Sequence, residues 1–171
     1  MEPLGHARDC EALMTEDADL LALVARVHAT FDEIHRQVFL GDPVANPNLY
    51  VEVVAPARMG DTPTMVVVAP WTVNGLAFPP DEGVPSKLEI GGREHPVFSH
   101  ELEALGRYVA INLVSDPRCF RDQEAARRSA EVLAPAFQAA VLAVREDPAV
   151  ADPGRRRLLG LHRPSASERR D

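Results

Sequence analysis

The sequence contains little cysteine, few aromatic residues and no long apolar run. Its two cysteines, Cys10 and Cys119, cannot complete a four-thiolate zinc or iron–sulfur site. No window approaches the roughly 18 consecutive apolar residues that a membrane-spanning helix requires, and residues 1–10 lack the apolar region of a secretory signal. These absences exclude a secreted disulfide scaffold, and they predict a cytoplasmic protein that does not insert into membranes.

Acidic side chains outnumber basic ones, 26 to 18, and the excess is unevenly distributed. Residues 145–171 contain seven arginines and five acids, a balance of +2, so residues 1–144 have a net charge of −10 within a total of −8. An acidic body repels phosphate, which disfavours nucleic acid as a partner, and it attracts basic polypeptides. The charge is therefore compatible with a partner segment that contains arginine.

Hydrophobic periodicity predicts two long helices that flank a block of strands. Apolar residues repeat at helical spacing from about Asp17 to Val38 and again from Asp122 to Arg145, where Pro135 predicts a kink or a break. Between the helices, segments of period two alternate with turns, which predicts five or six strands joined mostly by hairpins. The expected fold is a single α+β domain, an antiparallel sheet with both helices on one face.

The pattern weakens at both ends of the chain. Residues 1–16 are interpreted as a loose leader, residues 17–145 as the folded domain, and residues 146–171 as a flexible, arginine-rich tail. The tail is polar and unpatterned apart from a basic run, Arg155–Arg157, and three leucines that follow it at 158, 159 and 161.

A polar flank of the first helix is a candidate metal site. His28, Asp32 and His35 are spaced i, i+4 and i+7, so they project from one side of the helix. A solvated flank opposite the apolar stripe is the stronger interpretation, because the sequence offers no further ligand nearby.

Two other candidates for chemistry are weak. The pairs Glu94-His95 and His100-Glu101 suggest an acid–base pair, but neighbours on a strand point to opposite faces. Cys119 is better explained as a half-buried structural thiol than as a nucleophile. No phosphate-binding glycine loop, nucleophile elbow or Cys-x-x-Cys pair is present. The sequence therefore predicts no catalytic residue, no metal and no cofactor.

The segment Pro70-Trp71-Thr72-Val73-Asn74 contains the only tryptophan and lies between the two most apolar predicted strands. One interpretation is a core tryptophan at a bulge. The other is the rim of a cleft that binds an extended apolar peptide, since tryptophan combines a large contact area with a polar N–H. The sequence leaves both open.

Five blocks in this order resemble the HybE family of hydrogenase assembly chaperones, also called the HupJ family. They are, in chain order, 46–52 (Asn-Pro-Asn-Leu-Tyr-Val-Glu), 70–74, 106–108 (Gly-Arg-Tyr), 113–115 (Leu-Val-Ser) and 120–126 (Phe-Arg-Asp-Gln-Glu-Ala-Ala). The resemblance covers roughly residues 20–140. Two departures stand out: Thr72-Val73 replaces the family's usual Phe-Met, and Asp116 separates Ser115 from Pro117.

The resemblance implies a non-enzymatic chaperone for a nickel–iron hydrogenase. Its expected partner is the small-subunit precursor, bound through a twin-arginine signal or an N-terminal segment. The large-subunit precursor and other maturation factors are further possible partners. Partner binding is expected at residues 70–74 and at Tyr108, and the smaller Thr72 and Val73 imply a different client segment.

Two alternatives remain from the sequence alone. One is a small metal-dependent hydrolase that uses the histidine and carboxylate clusters. The other is a permanent scaffold subunit of a hydrogenase complex.

Overall fold

Two long helices and six strands make up the part of the chain that the computed structural model describes, residues 6–79 and 85–146. Helix α1 spans His6–Ile34 and continues into a wider π-helical turn, His35–Phe39, whereas helix α2 spans Gln123–Glu146. The strands are β1 (Glu52–Met59), β2 (Thr62–Ala69), β3 (Thr72–Ala77), β4 (Lys87–Ile90), β5 (Arg93–Leu102) and β6 (Gly106–Val114). Within these residues, neither helix is both long and apolar enough to cross a lipid bilayer.

The strands form one antiparallel sheet in the order β1-β2-β3-β6-β5-β4. Tight turns join β1 to β2, β2 to β3 and β4 to β5, and the last of these uses Gly91 and Gly92, both at positive φ. Glycine adopts this backbone conformation without steric cost. The predicted α+β class and the antiparallel sheet are confirmed, and β1 and β4 form the two edges.

The two helices pack against opposite faces of the sheet, so the prediction that both lie on one face is wrong. In β2, Met65 and Val67 belong to the core cluster with α1, whereas Val66 and Val68 belong to the cluster with α2. Successive side chains of a strand point to opposite faces, so a strand that is apolar at every position is covered on both sides.

Helix α2 lies close to its face of the sheet because small residues line the contact. Its buried positions are Ala126, Ala130, Ala134, Phe137 and Val141, together with Gln123 at the start of the helix. Of the kink or break predicted at Pro135, the break does not occur, because the helix is continuous from Gln123 to Glu146. Pro135 and Glu131, whose carbonyl loses its hydrogen bond, are both exposed, so water can solvate that carbonyl.

Helix α1 begins at His6, well before the predicted start at Asp17, so residues 6–16 of the expected leader are helical. Its buried side chains are Leu23, Val27 and Phe31, which pack on β1 and β2. Residues 1–5 and the predicted tail beyond Glu146 lie outside the described residues.

Candidate functional site

Trp71 lies in the turn between β2 and β3, on the side of the sheet that α1 covers. Its half-buried indole stacks on the ring of Phe39, with centroids 4.4 Å apart and planes 7° apart. Phe31 and His35 stack at 6.2 and 5.9 Å. These four rings, the aromatic cluster, attach the β2–β3 turn to the end of α1. Trp71 is therefore both a packing residue and a partly exposed one.

The π turn places apolar side chains in solvent beside the aromatic cluster. Phe39 points towards Trp71, whereas its neighbours Val38 and Leu40 are 61% and 71% exposed. Val44 follows in the next loop and is 51% exposed. We call Val38, Leu40 and Val44 the apolar rim. Sequence reasoning missed it, because it placed Val38 on the buried stripe of the helix.

Asn46 holds this loop against the rest of the fold. It is 4% exposed, its backbone N–H donates to the carbonyl of Pro70 at 2.7 Å, and its Oδ1 accepts from the N–H of Asn48 at 3.0 Å. Its Nδ2 donates to the carbonyls of Pro117 and Phe120 at 3.0 and 2.8 Å. The loop is thereby fixed next to Trp71, and Asn46 has a structural role.

The predicted binding segment divides into buried and accessible residues. Pro70, Thr72 and Val73 are buried, and Val73 faces α2. Trp71 and Asn74 are partly exposed, and the Thr72 hydroxyl donates to Asn74 Oδ1 at 2.9 Å. Of residues 70–74, only Trp71 and Asn74 can offer substantial side-chain surface to a partner.

Tyr108 is not beside Trp71. It stacks on Phe78 and His100, at 5.6 and 5.2 Å, and is 5% exposed. Trp71 precedes β3 and Phe78 follows it, so a strand length of roughly 20 Å separates the two predicted contacts. Burial raises the pKa of the Tyr108 phenol, which keeps it neutral. The structure places Tyr108 as a packing residue of the sheet.

Two buried polar atoms near the aromatic cluster have no hydrogen-bond partner within the described chain. They are Nδ1 of His35, in the cluster itself, and Oδ1 of Asn112, whose residue pairs with Asn74 across β3 and β6. A buried polar group without a partner is costly. Both atoms could pair with a bound polypeptide.

A groove lies between α1 and the edge strand β1. It has a volume of about 480 Å³ and is mostly apolar. Its walls are Leu21, Val24, Ala25 and His28 of α1 and Tyr50, Val51, Glu52 and Val53 at the start of β1. Leu21 and Tyr50 are 66% and 55% exposed, so the groove opens to solvent.

Both ends of β1 are contacted by other parts of the chain. At its beginning, Gln123 Oε1 accepts a hydrogen bond from the N–H of Tyr50 at 3.0 Å, and Arg127 pairs with Glu52 at 2.8 Å. A bulge interrupts the pairing with β2 between Val54 and Ala57, and Ala55 has a positive φ of 49°. The Ala55 carbonyl accepts a hydrogen bond from Gln138 Nε2 at 2.8 Å, and Pro56 has no N–H to donate. Bulges and prolines are common protection for sheet edges. Neither a bulge nor a proline interrupts the pairing of Glu52–Val54 with β2.

A second, smaller space lies between the sheet and the end of α2. Its volume is about 20 Å³, and its walls include Leu88, Val109, Ile111 and Val141. A space of this size holds about one water molecule. It cannot hold a substrate, so it does not favour the hydrolase alternative.

The candidate metal ligands do not converge. His28 is exposed in the groove, His35 stacks on Trp71, and Asp32 pairs with Arg36 at 3.1 Å. Over residues 16–79 and 85–146, no group of three or more metal-ligating side chains is placed to hold an ion.

The remaining candidates for chemistry are also apart. His100 stacks on Tyr108, whereas His95 lies on the other face of β5, with Nδ1 3.4 Å from the Asn112 carbonyl. Cys119 is exposed and not half-buried as predicted, because the short 3₁₀ turn Pro117–Cys119 buries Pro117 instead.

Comparison with known proteins gives a family match over most of the chain. The family described as NiFe-hydrogenase assembly, chaperone, HybE matches residues 22–161. The hydrogenase expression/formation protein HupT of Azotobacter chroococcum mcd 1 is 37% identical over 98 residues. That alignment covers 53% of this chain and 66% of HupT, just under two thirds of that protein's length. No solved structure matches the chain.

Proposed function

Because the chain belongs to the HybE family of NiFe-hydrogenase assembly chaperones, we propose that it binds the immature small subunit of such a hydrogenase and catalyses no reaction. The bound part of the client is its signal or N-terminal segment. The large-subunit precursor is a further proposed partner, and the proposed compartment is the cytoplasm. After assembly the chaperone dissociates from the hydrogenase.

The apolar rim beside Trp71 is the observation that supports this proposal. Val38, Leu40 and Val44 are large aliphatic residues, all more than half exposed, within seven positions of the chain. Contiguous exposed apolar surface is typical of protein-binding sites, because a partner removes it from water. Trp71 adds a half-buried aromatic face to the same surface.

Polar groups next to the rim suit an extended polypeptide. His35 Nδ1 and Asn112 Oδ1 lack partners within the described residues, and a client backbone or side chain can supply them. Partly exposed Asp42 in the same loop and the net negative charge of the body attract a basic client segment. The apolar contact supplies affinity, and the charge speeds the encounter.

Co-purification from a cell that expresses a NiFe-hydrogenase tests the proposal. The tagged full chain should recover the immature small subunit, and the double variant Val38→Ser/Leu40→Ser should recover at least tenfold less. Val132→Ser is the matched control, because Val132 is 77% exposed on the solvent side of α2. Its recovery should equal that of the wild type.

Two results would contradict the proposal. The first is recovery of no hydrogenase subunit by the wild-type chain. The second is equal recovery by the rim variant and the Val132 control. Size analysis of the finished hydrogenase distinguishes the scaffold alternative, because a permanent subunit would remain in the mature enzyme.

A further inference from the structure

We propose that the second half of β5 pairs with the same segment of a second copy of this chain, so that two sheets join edge to edge. The segment is Phe98–Leu102, which we call the β5 edge. Three observations support this occupant: the exposure of the segment, the direction of its backbone groups, and the symmetry of its side chains about His100.

Strand β4 covers only the first part of β5. Its four residues pair with residues 93–96, and the N–H of Val97 then donates to the carbonyl of Ser86 at 3.0 Å. On its other side, β5 pairs with β6 without a bulge up to its last residue. Within the described chain, no strand pairs with the β5 edge on the side away from β6, and residues 98–101 are all exposed.

The hydrogen bond of Val97 shows which way the backbone groups further along point. In an extended strand, the N–H and C=O of one residue point to the same side, and those of the next residue point to the opposite side. Because Val97 points away from β6, Ser99 and Glu101 also do so. Their N–H and C=O groups meet no backbone partner among the described residues. Lysines, prolines and bulges commonly protect such edges, and the β5 edge contains none of them.

These outward groups define one symmetric register. A twofold axis through His100 places Ser99 of each copy opposite Glu101 of the other, so all the outward groups are paired. An axis through Ser99 would instead need the N–H of Val97, which Ser86 already accepts. An axis through Glu101 would need Glu103, which lies in the turn after β5. Only the axis through residue 100 uses the free groups alone.

The same axis brings complementary side chains together. Phe98 and Leu102 lie two residues on either side of His100, so Phe98 of each copy meets Leu102 of the other. Phe98 is 51% exposed in the single chain and Leu102 is half-buried, so pairing removes apolar surface from water. These side chains lie on the α1 face, where His100 stacks on Tyr108. On the α2 face, the Ser99 hydroxyl can donate to the Glu101 carboxylate of the other copy.

Net charge and the length of the contact limit the strength of the dimer. Each copy has a net charge of −8, so two copies repel, and dissolved salt screens this repulsion. The paired segment is about 17 Å long, which is short for a permanent dimer interface. We therefore expect a reversible dimer that becomes stronger as salt is added. A basic client strand on the same edge would show the opposite dependence on salt.

The β5 edge is separate from the apolar rim. Val73, two residues after Trp71, pairs with Val114 at the end of β6, whereas Leu102 pairs with Gly106 at its start. The two surfaces therefore lie towards opposite ends of the sheet, and strand pairing leaves both rims of the dimer accessible. The inference does not depend on the proposed function.

Disulfide formation between copies of the purified full chain tests the register. In a background of Cys10→Ser and Cys119→Ser, His100→Cys should form an intermolecular disulfide under mild oxidation. Residues opposite each other at such a position are about 4.5 Å apart between Cα atoms, which suits a disulfide. Ser99→Cys is the matched control, because Ser99 is also exposed but faces Glu101 of the other copy. It should form the bond at least tenfold more slowly.

Sedimentation velocity tests the association itself. The wild-type chain should form a dimer whose fraction rises with protein concentration and with salt. Ser99→Pro should weaken it at least tenfold, because the proline removes an outward donor and no hydrogen bond of the sheet. Phe98→Asp should weaken it similarly by placing an acid opposite Leu102. Val132→Ser, on the solvent side of α2, is the control and should dimerise as the wild type does.

Amide hydrogen exchange identifies the paired groups. Exchange at Ser99 and Glu101 should slow as the dimer forms, because these N–H groups gain acceptors. Three outcomes would overturn the inference: a monomer at every concentration and salt, cross-linking of Ser99→Cys as fast as that of His100→Cys, or undiminished dimerisation of both Ser99→Pro and Phe98→Asp. Failure to recover a hydrogenase subunit would contradict the proposed function and leave a dimer found here intact.

Discussion

The two faces of the sheet are built differently. On the α2 face, small residues bring the helix close, and the ring of Phe137 lies against Gly75 so tightly that an added Cβ would sit 2.9 Å from it. On the α1 face, the helix packs on β1 and β2 and leaves a groove at the sheet edge and an apolar rim at its own end. The comparison teaches that the α2 face is closely packed, whereas the α1 face combines a buried core with accessible surface at the groove and the apolar rim.

Phe137→Ala tests this comparison with the largest expected effect. Phe137 is fully buried, so truncation should lower the free energy of unfolding by about 3–5 kcal/mol. Phe98→Ala is the control, because Phe98 is 51% exposed on the α1 face, and it should cost less than about 1 kcal/mol. Urea unfolding measures both. Similar losses in the two variants would remove the distinction between the faces.

Gly75→Ala tests how tightly the α2 face is packed. The added methyl group would contact the Phe137 ring, and the loss of stability should be about 1–3 kcal/mol. The smaller side chain of Phe137→Leu should make the double variant less destabilised than the sum of the two single changes. If the two losses in the free energy of unfolding were strictly additive in the double variant, the contact between residue 75 and the Phe137 ring would not limit the packing.

Phe39→Ala should have a smaller effect, confined to the α1 face. It removes the closest ring from the indole of Trp71, so stability should fall by about 1–2 kcal/mol. The fluorescence of the single tryptophan should shift to longer wavelength as water reaches it. Val38→Ala is the control and should change neither property, because Val38 is already exposed. A shift of equal size in the control would contradict the stacking.

The smallest effect concerns the ion pair of Asp61 and Arg145. The hydrogen bond from Arg145 holds the pKa of Asp61 below its usual value. A carboxyl whose pKa is lowered by folding stabilises the protein above its unfolded-state pKa, and this stabilisation is lost as pH falls through the folded-state pKa. Asp61→Asn should therefore unfold at slightly lower urea than wild type at about pH 7, and the difference should shrink as pH falls through the folded-state pKa of Asp61. If the difference in stability between Asp61→Asn and the wild type grew as pH fell, the expected direction of the effect would be wrong.

Local patterns in the sequence were sufficient to predict the strands and α2. The apolar run of β2, the glycine pair between β4 and β5 and the periodicity before Arg145 each depend on neighbours along the chain. The prediction that both helices lie on one face of the sheet was wrong, although the uninterrupted apolar run Met65–Ala69 already indicated that both faces are covered. A strand that is apolar on both sides requires cover on both sides.

The candidate site was less predictable, because its exposure depends on tertiary contacts. The sequence identified Trp71 and Asn74, which reach the surface, together with Pro70, Thr72 and Val73, which do not. Alternation along β3 separates Val73 from Asn74, but it places the buried Thr72 on the same face as Asn74, so exposure could not be predicted from spacing alone. The pattern of the first helix continues smoothly to Val38, so nothing local showed that this residue would leave the buried stripe.

The widened turn at His35–Phe39 behaves as a one-residue insertion that the helix has absorbed. Removing the exposed Gln37 would restore ordinary helical spacing and still leave the phenylalanine opposite the indole. Shortening this segment by one residue is therefore compatible with the ring contact, whereas replacing Phe39 by a residue without a ring removes it.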